Sequence, residues 1–229
     1  MSRFARSTAI VTGLTVAGMG LGFWANMLTA ARFGVGADMD AYLAATTLPS
    51  LISLILTTSL AASFIPVFTA ERQKAPAEAW RVAATFMNLV ALIGLVACLV
   101  GMFFAGPLVR LMTPGLDPSR MFLAAEMLRW LLPTVALSAV NQLLSGVFYA
   151  EGKFFAPLII RVAGPLLTIA WILAFSSGLH VRSLVFATLS AHALQTVVLL
   201  VGLIKKGNFF LSALPDRSEE HTSELQSQR

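Results

Sequence analysis

Apolar residues fill most of this chain in long runs, which short polar segments separate. Each run is long enough to cross a bilayer core of about 30 Å, because a helix rises about 1.5 Å per residue. A helix also satisfies its own backbone hydrogen bonds, as a membrane span must. The pattern predicts an all-α fold, a polytopic transmembrane bundle of six helices at about residues 7–31, 41–69, 82–111, 121–149, 155–177 and 183–204.

The composition supports a membrane protein. Hydrophobic residues make up 57% of the chain and charged residues 12%, against about 25% charged residues in a typical soluble domain. Arg3 and Arg6 precede the first apolar run as they would in a signal peptide, but the run is longer than a signal core of about 7–15 residues. We therefore expect a retained first helix.

The basic residues lie unevenly between the predicted spans and give the chain a formal net charge of +5. Eight fall on one side of the bundle, at Arg3, Arg6, Arg72, Lys74, Arg81, Lys153, Lys205 and Lys206. Four fall on the other side, at Arg32, Arg110, Arg120 and Arg182. By the positive-inside rule, the N-terminus is predicted to be cytoplasmic. The basic charge is thus explained by topology and by contact with membrane lipids, without a nucleic-acid partner.

Motifs of catalysis and metal binding do not stand out in the sequence. It contains no phosphate-binding glycine loop, no zinc-protease motif and no serine-hydrolase elbow. The single cysteine, Cys98, falls within an apolar run, where a small buried side chain is the simplest interpretation. We expect no enzyme activity, no metal and no cofactor.

The second predicted helix carries the most informative polar pattern. Gly34 and Gly36 favour a tight turn, and Asp38 and Asp40 follow at the mouth of the helix, where a carboxylate can also act as a cap. Prolines at 49 and 66 are expected to interrupt the helix. Hydroxyl side chains along it favour either an aqueous cavity or an ordinary kinked helix, at Thr46, Thr47, Thr57, Thr58, Ser59 and Ser63.

Other polar residues within the spans are candidates for a binding cavity or for contacts between helices. Asn26 and Asn141 are uncharged. Glu126 and Arg129 are three residues apart on one helical face, so they are expected to pair with each other near the interface or to face a cavity. His192 and Gln195 have the same spacing, for which a structural role is the simpler interpretation.

Several segments in order resemble the MviN/MurJ family of bacterial lipid-linked peptidoglycan-precursor flippases, within a superfamily of multidrug, oligosaccharidyl-lipid and polysaccharide exporters. These segments are FGVG at 33–36, DAYLAATTLP at 40–49, AASFIPVF at 61–68 and LMTPGLD at 111–117. The resemblance implies a fourteen-helix fold with two six-helix lobes around a central cavity, of which residues 1–210 resemble the first. It also implies a lipid-linked saccharide (lipid II-like) as substrate, alternating access as mechanism, and the bacterial cytoplasmic membrane as location.

The site that the resemblance implies is only partly present. Met19 and Ala25 stand where family arginines are expected, and Asn26 stands at a family aspartate. Ile52 and Ser53 replace another basic pair. Asp40 carries over, and Arg32 lies one place from a family arginine. The candidate cavity residues are therefore Asp40, Asn26, Arg32, Glu126, Arg129 and Asn141.

The last residues differ from the rest of the chain. RSEEHTSELQSQR, at 217–229, is polar, and its first eleven residues resemble the translation of a sequencing-adapter oligonucleotide. We expect this tail to be an artefact of a truncated reading frame, so that a C-terminal lobe of the same protein is a missing partner. Two alternatives to a lipid-saccharide flippase stay open. One is a polysaccharide-lipid or cation-coupled small-molecule exporter of the same fold, and the other a transport-inactive scaffold for cell-envelope partners.

Overall fold

The computed structural model describes residues 3–153 and 155–204, which form seven α-helices. They are α1 (Arg3–Phe33), α2 (Ala37–Lys74), α3 (Pro76–Phe103), α4 (Ala105–Met112), α5 (Pro118–Ala150), α6 (Phe155–Leu179) and α7 (Arg182–Ile204). Six of them, all but the short α4, are long and apolar enough to cross a membrane. The predicted all-α transmembrane bundle is confirmed. The predicted tail at 217–229 lies outside the described residues.

The third predicted span, 82–111, is two helices. Helix α3 ends at Phe103, and Phe104 leaves the helical conformation with φ −93° and ψ 12°. Pro107 then lies in the first turn of α4, where its missing amide proton costs no helical hydrogen bond. The break at Phe104 therefore places Pro107 where a proline is tolerated without loss of a helical hydrogen bond.

The two prolines expected to interrupt the second helix do not divide it into separate helices. Helix α2 runs without a break from Ala37 to Lys74 and keeps both Pro49 and Pro66 inside it. Its start does follow the predicted turn. Gly34 adopts φ +59°, and its amide donates to the Ala30 carbonyl at 2.9 Å, a left-handed ending that glycine favours.

Helix α5 is the centre of the bundle. In its apolar segment, 72% of the residues are buried, against 6–22% in the other five spans. It packs against α2, α3, α4 and α7, whereas α1 packs against α6, which in turn packs against α7. Chain order and spatial order therefore differ, and α5 holds α2 and α7 on two of its sides.

Two apolar clusters fill the interior at different heights. The first surrounds the start of α2, α5 and α7 and includes Ala41, Ala45, Leu128 and Val185. The second surrounds the ends of the same helices and includes Phe64, Phe68, Trp80, Leu144 and Leu203. Phe68 contacts both Phe64 and Trp80 through its ring, with centroids 5.4 and 5.8 Å apart. Between the two clusters, the inner faces of α2, α5 and α7 become polar.

Candidate functional site

A polar pocket of about 380 Å³ lies between α2, α5 and α7. Its volume falls within the range of about 300–1,000 Å³ that is typical of small-ligand sites. Six hydroxyl groups, one imidazole and two apolar side chains line it, from Tyr42, Thr46, Pro49, Ser50, Ser53, Leu131, Thr134, Thr188 and His192. None of these lining residues carries a formal charge at neutral pH. The pocket can therefore form hydrogen bonds but offers no counter-ion.

Helix α2 supplies the largest share of the polar lining. Tyr42, Thr46, Ser50 and Ser53 follow one another at intervals of four, four and three residues, which places them on one helical face. The Thr46 hydroxyl donates to the Leu43 carbonyl of its own helix at 3.0 Å. A hydroxyl in this arrangement has already donated its proton to a backbone carbonyl, so it presents only acceptor lone pairs to the pocket.

Helices α5 and α7 complete the lining in the same way. Thr134 donates to the Leu131 carbonyl, and Thr188 donates to the Leu184 carbonyl at 2.9 Å. The Tyr42 side chain of α2 lies near the Thr188 hydroxyl of α7. His192 lies one turn beyond Thr188, and its buried Nδ1 atom has no hydrogen-bond partner.

Two ion pairs join the three lining helices on the side of their N-termini. Arg120 Nη1 on α5 donates to Asp40 Oδ2 on α2 at 3.2 Å, and Arg182 Nη2 on α7 donates to Glu126 Oε2 on α5 at 2.9 Å. All four side chains are between one third and one half exposed. We call these four residues the ionic tier.

Neutral hydrogen bonds join the same helices on the other side of the pocket. Ser138 on α5 donates to Ser53 on α2 at 3.0 Å. Asn141 on α5 donates through Nδ2 to the His192 carbonyl at 3.1 Å and accepts from Thr196 on α7 at 2.8 Å. We call Ser53, Ser138, Asn141 and Thr196 the neutral tier. The pocket thus lies between two levels of cross-links, each of which connects α2 to α5 and α5 to α7.

The structure separates the six predicted site residues. Asp40 and Glu126 belong to the ionic tier, and Asn141 to the neutral tier. The expected pairing of Glu126 with Arg129 is wrong, because Arg182 reaches the Glu126 carboxylate from a neighbouring helix. Arg129 instead donates through Nε to the Met102 carbonyl of α3 at 3.3 Å.

The two predicted residues on α1 lie away from the pocket. Asn26 is exposed on α1. Arg32, near the end of the helix, donates through Nε to Ser176 Oγ of α6 at 2.9 Å. Since α1 packs against α6, these residues belong to another part of the surface. Among the residues that the structure describes, no group of three or more histidine, cysteine or acidic side chains could hold a metal ion.

The sequence interpretation missed most of the pocket lining. Thr46 is among the predicted cavity hydroxyls, but Tyr42, Thr134 and Thr188 are not among the predicted residues, and a structural role is the one predicted for His192. The recurring spacing of three or four residues along α2 and α7 was the available signal. It does not show which helices meet, and α7 is distant from α2 along the chain.

A second, apolar groove lies on the other side of the α2–α5 contact. It has a volume of about 310 Å³ and is lined by side chains of α2, α3 and α5, among them Ile52, Val90, Cys98 and Val135. Gly94 on α3 approaches Ala136 on α5 so closely there that an added Cβ atom would lie 2.8 Å from the Ala136 Cβ. Helices α2 and α5 therefore separate a polar pocket from an apolar groove.

Six membrane-length helices, three of which line a polar pocket, define a polytopic helical membrane protein with the construction of a transporter bundle. The sequence model of the lipid II flippase MurJ family matches residues 29–226, and the chain belongs to that family. This confirms the family that the sequence resemblance indicated.

The fold also matches a solved structure described as "Lipid II flippase MurJ, inward closed conformation". The TM-score is 0.71 at 19% sequence identity, and the match covers 89% of this chain. It covers 46% of the solved chain, so the present chain spans less than half the length of that structure.

Proposed function

We propose that this chain is the first lobe of a flippase that moves a lipid-linked cell-wall precursor across the cytoplasmic membrane. The observation that carries the proposal is the structural match, which covers 89% of this chain but 46% of the flippase structure. A single bundle of this kind corresponds to one half of a transporter whose two halves rock against each other. The second half would be a C-terminal lobe of the same protein.

The proposed mechanism is alternating access. The two lobes would enclose the polar headgroup between them, open first toward the cytoplasm and then toward the outside, while the lipid chain stays in the bilayer. The uneven distribution of basic residues supports a cytoplasmic N-terminus. With that orientation, the ionic tier of Asp40, Arg120, Glu126 and Arg182 lies toward the outer face.

The proposed anion contact is Arg32. Its Nε atom is engaged by Ser176, but the side chain is exposed, so its terminal nitrogens can reach a phosphate oxygen. Asn26 is exposed on the same helix and can supply a neutral hydrogen bond. Asp40, Glu126 and Arg129 would act at the rim, and Asn141 would act indirectly by holding α7 in place.

The test is complementation of a bacterium depleted of its own lipid II flippase. The strain would receive this chain alone, this chain fused to the second lobe of a MurJ-family protein, or that second lobe alone. Growth is measured, together with the appearance of labelled precursor on the outer face of the cytoplasmic membrane. We expect rescue by the fused protein only.

A fused protein that reaches the membrane, folds and fails to expose any precursor contradicts the proposal. In that case binding of lipid-linked saccharide would be compared with binding of cationic dyes, since a small-molecule exporter of the same fold would prefer the dyes.

Sequencing the source locus past codon 216 tests separately whether a second lobe is encoded. Eight further apolar spans in frame are expected.

A further inference from the structure

His192, one of the residues that line the polar pocket, carries a buried hydrogen-bonding atom that no described residue satisfies. His192 Nδ1 is the single buried side-chain nitrogen or oxygen without a partner among the residues that the structure describes. Buried polar atoms are nearly always paired with protein or with a bound molecule. The His192 residue lines a pocket of about 380 Å³, which has room for much more than one water.

The charge of the lining defines the kind of ligand. None of the nine lining residues is an acid, a lysine or an arginine, and Tyr42 on α2 is the only titratable side chain among them besides His192. A charged ligand that moved from water into this pocket would find no counter-ion there, and its desolvation would be costly in a low-dielectric interior. The lining therefore favours an uncharged, polar group.

The direction of the hydrogen bonds that the lining hydroxyls make further restricts the kind of ligand that fits the pocket. Thr46, Thr134 and Thr188 each give their proton to a carbonyl of their own helix. They present acceptor lone pairs to the pocket, so the complementary ligand carries several donors. Sugar hydroxyls provide such donors, and the apolar Pro49 and Leu131 can contact the C–H face of a sugar ring.

We propose that this pocket binds an uncharged sugar ring of a lipid-linked saccharide, with His192 and the hydroxyls of α2, α5 and α7 as the hydrogen-bonding groups. The choice of a lipid-linked sugar over another polyol rests on the proposed flippase function. The pocket would thus recognise the neutral part of the headgroup, whereas arginine residues elsewhere would contact its phosphates.

The first experiment measures protection of the pocket from chemical labelling in the full chain. In a Cys98→Ala background, Ser50→Cys places a thiol in the lining and Ser63→Cys places one on the same helix outside it. Both serines are exposed, and Ser63 is absent from the lining. Labelling by a small maleimide is timed with polyprenyl-diphosphate-linked disaccharide, with polyprenyl diphosphate alone, and with free disaccharide.

We expect the sugar-bearing lipid to slow labelling of the Ser50→Cys variant by about tenfold at a concentration near ten times its dissociation constant. Labelling of the Ser63→Cys variant should not change. Free disaccharide should protect in the same way at higher concentration. Equal protection by the sugar-free lipid would overturn the proposal, because the diphosphate or the chain would then be the ligand. Absence of protection by all three, which would leave water as the occupant, would overturn it as well.

The second experiment compares matched substitutions in a binding assay with the sugar-bearing lipid. Thr46 and Thr47 both donate to the Leu43 carbonyl, at 3.0 and 2.8 Å, but only Thr46 lines the pocket. Thr46→Val should weaken binding about three- to tenfold and Thr47→Val should not, since both changes disturb the helix equally. His192→Phe should weaken it by a similar factor, with Gln195→Met as its control.

These results separate the two proposals. If the sugar-bearing lipid binds but the pocket variants bind as well as their controls, the pocket proposal fails and the flippase proposal stands. If the sugar-bearing lipid protects the pocket but the fused protein does not expose precursor, the proposal of sugar binding stands and the proposal of flippase function fails. Thermal unfolding of each variant identifies any loss of binding that is due to misfolding.

Discussion

The Glu126 carboxylate and the Arg182 guanidinium lie 2.9 Å apart and join the third turn of α5 to the first turn of α7. The pair acts together with Asp40 and Arg120, which join α2 to α5 at the same end of the bundle. Exposed ion pairs each contribute only about 0–1 kcal/mol in water. Their significance here is positional, because they fix the spacing of the three helices that line the pocket.

Replacing Glu126 by glutamine should lower the free energy of unfolding by about 0.5–1 kcal/mol, since Arg182 loses its partner. The change is measured by thermal or denaturant unfolding of the purified protein. Glu71→Gln is the control, because Glu71 pairs with Lys74 within α2 at 3.7 Å and does not join two helices. Exchanging the two residues, Glu126→Arg with Arg182→Glu, should recover part of the loss. Equal stability of Glu126→Gln and the control would contradict the assigned role.

Asn141 on α5 connects to α7 through two hydrogen bonds of its side-chain amide. It is 3% exposed, and both ends of its amide are engaged, by the His192 carbonyl and the Thr196 hydroxyl. Asn141→Leu should destabilise the fold by about 1 kcal/mol, a typical net value for a buried hydrogen bond. A double-mutant cycle with Thr196→Val should give a coupling of about 0.6–1.7 kcal/mol. Strictly additive effects of the two substitutions would show that the bond contributes nothing.

The sequence was sufficient for the fold class because the bilayer imposes a simple rule. A run such as 183–204 is long and apolar, and in a membrane only a helix satisfies its backbone. The predicted family was also accessible, since segments such as DAYLAATTLP carry it. Helix ends were less predictable, and Pro107 shows why: a proline in an apolar run can mark either a kink or the first turn of a new helix.

The pairing of side chains was not accessible from sequence, because it depends on which helices are neighbours. Glu126 has a suitable cation three residues away in Arg129, yet it pairs with Arg182, which is distant along the chain. His192 joins Tyr42 in one pocket only because α5 holds both α2 and α7. Helical spacing indicates which residues share a face, but it does not indicate what that face contacts.

A close approach of α3 to α5 depends on a glycine. A Cβ atom at Gly94 would lie 2.8 Å from the Ala136 Cβ and 3.2 Å from its Cα, too close for either helix to tolerate without a shift. Gly94→Ala should therefore destabilise the protein by about 1–3 kcal/mol, despite the better helix propensity of alanine. Gly20→Ala on α1 is the matched control, because nothing lies within 4 Å of its added Cβ. Unfolding midpoints of the two variants should move in opposite directions, or Gly20→Ala should leave the midpoint unchanged. Ala136→Gly should partly rescue Gly94→Ala.

Arg32 can serve the lobe in two ways, and the structure suggests how to separate them. Its Nε atom donates to Ser176 at 2.9 Å and so fastens the end of α1 to α6, while Arg32 as a residue is exposed. In the fused two-lobe protein, Ser176→Ala removes this bond but keeps the charge, whereas Arg32→Gln removes both. If Arg32 contacts substrate phosphate, Arg32→Gln should reduce apparent substrate affinity by roughly ten- to a hundredfold, the range for a charge-assisted bond. Ser176→Ala should then change it by less than about threefold, since no bond to the phosphate is lost. Equal losses in the two variants would restrict Arg32 to holding α1 in place, and would exclude it as a phosphate contact.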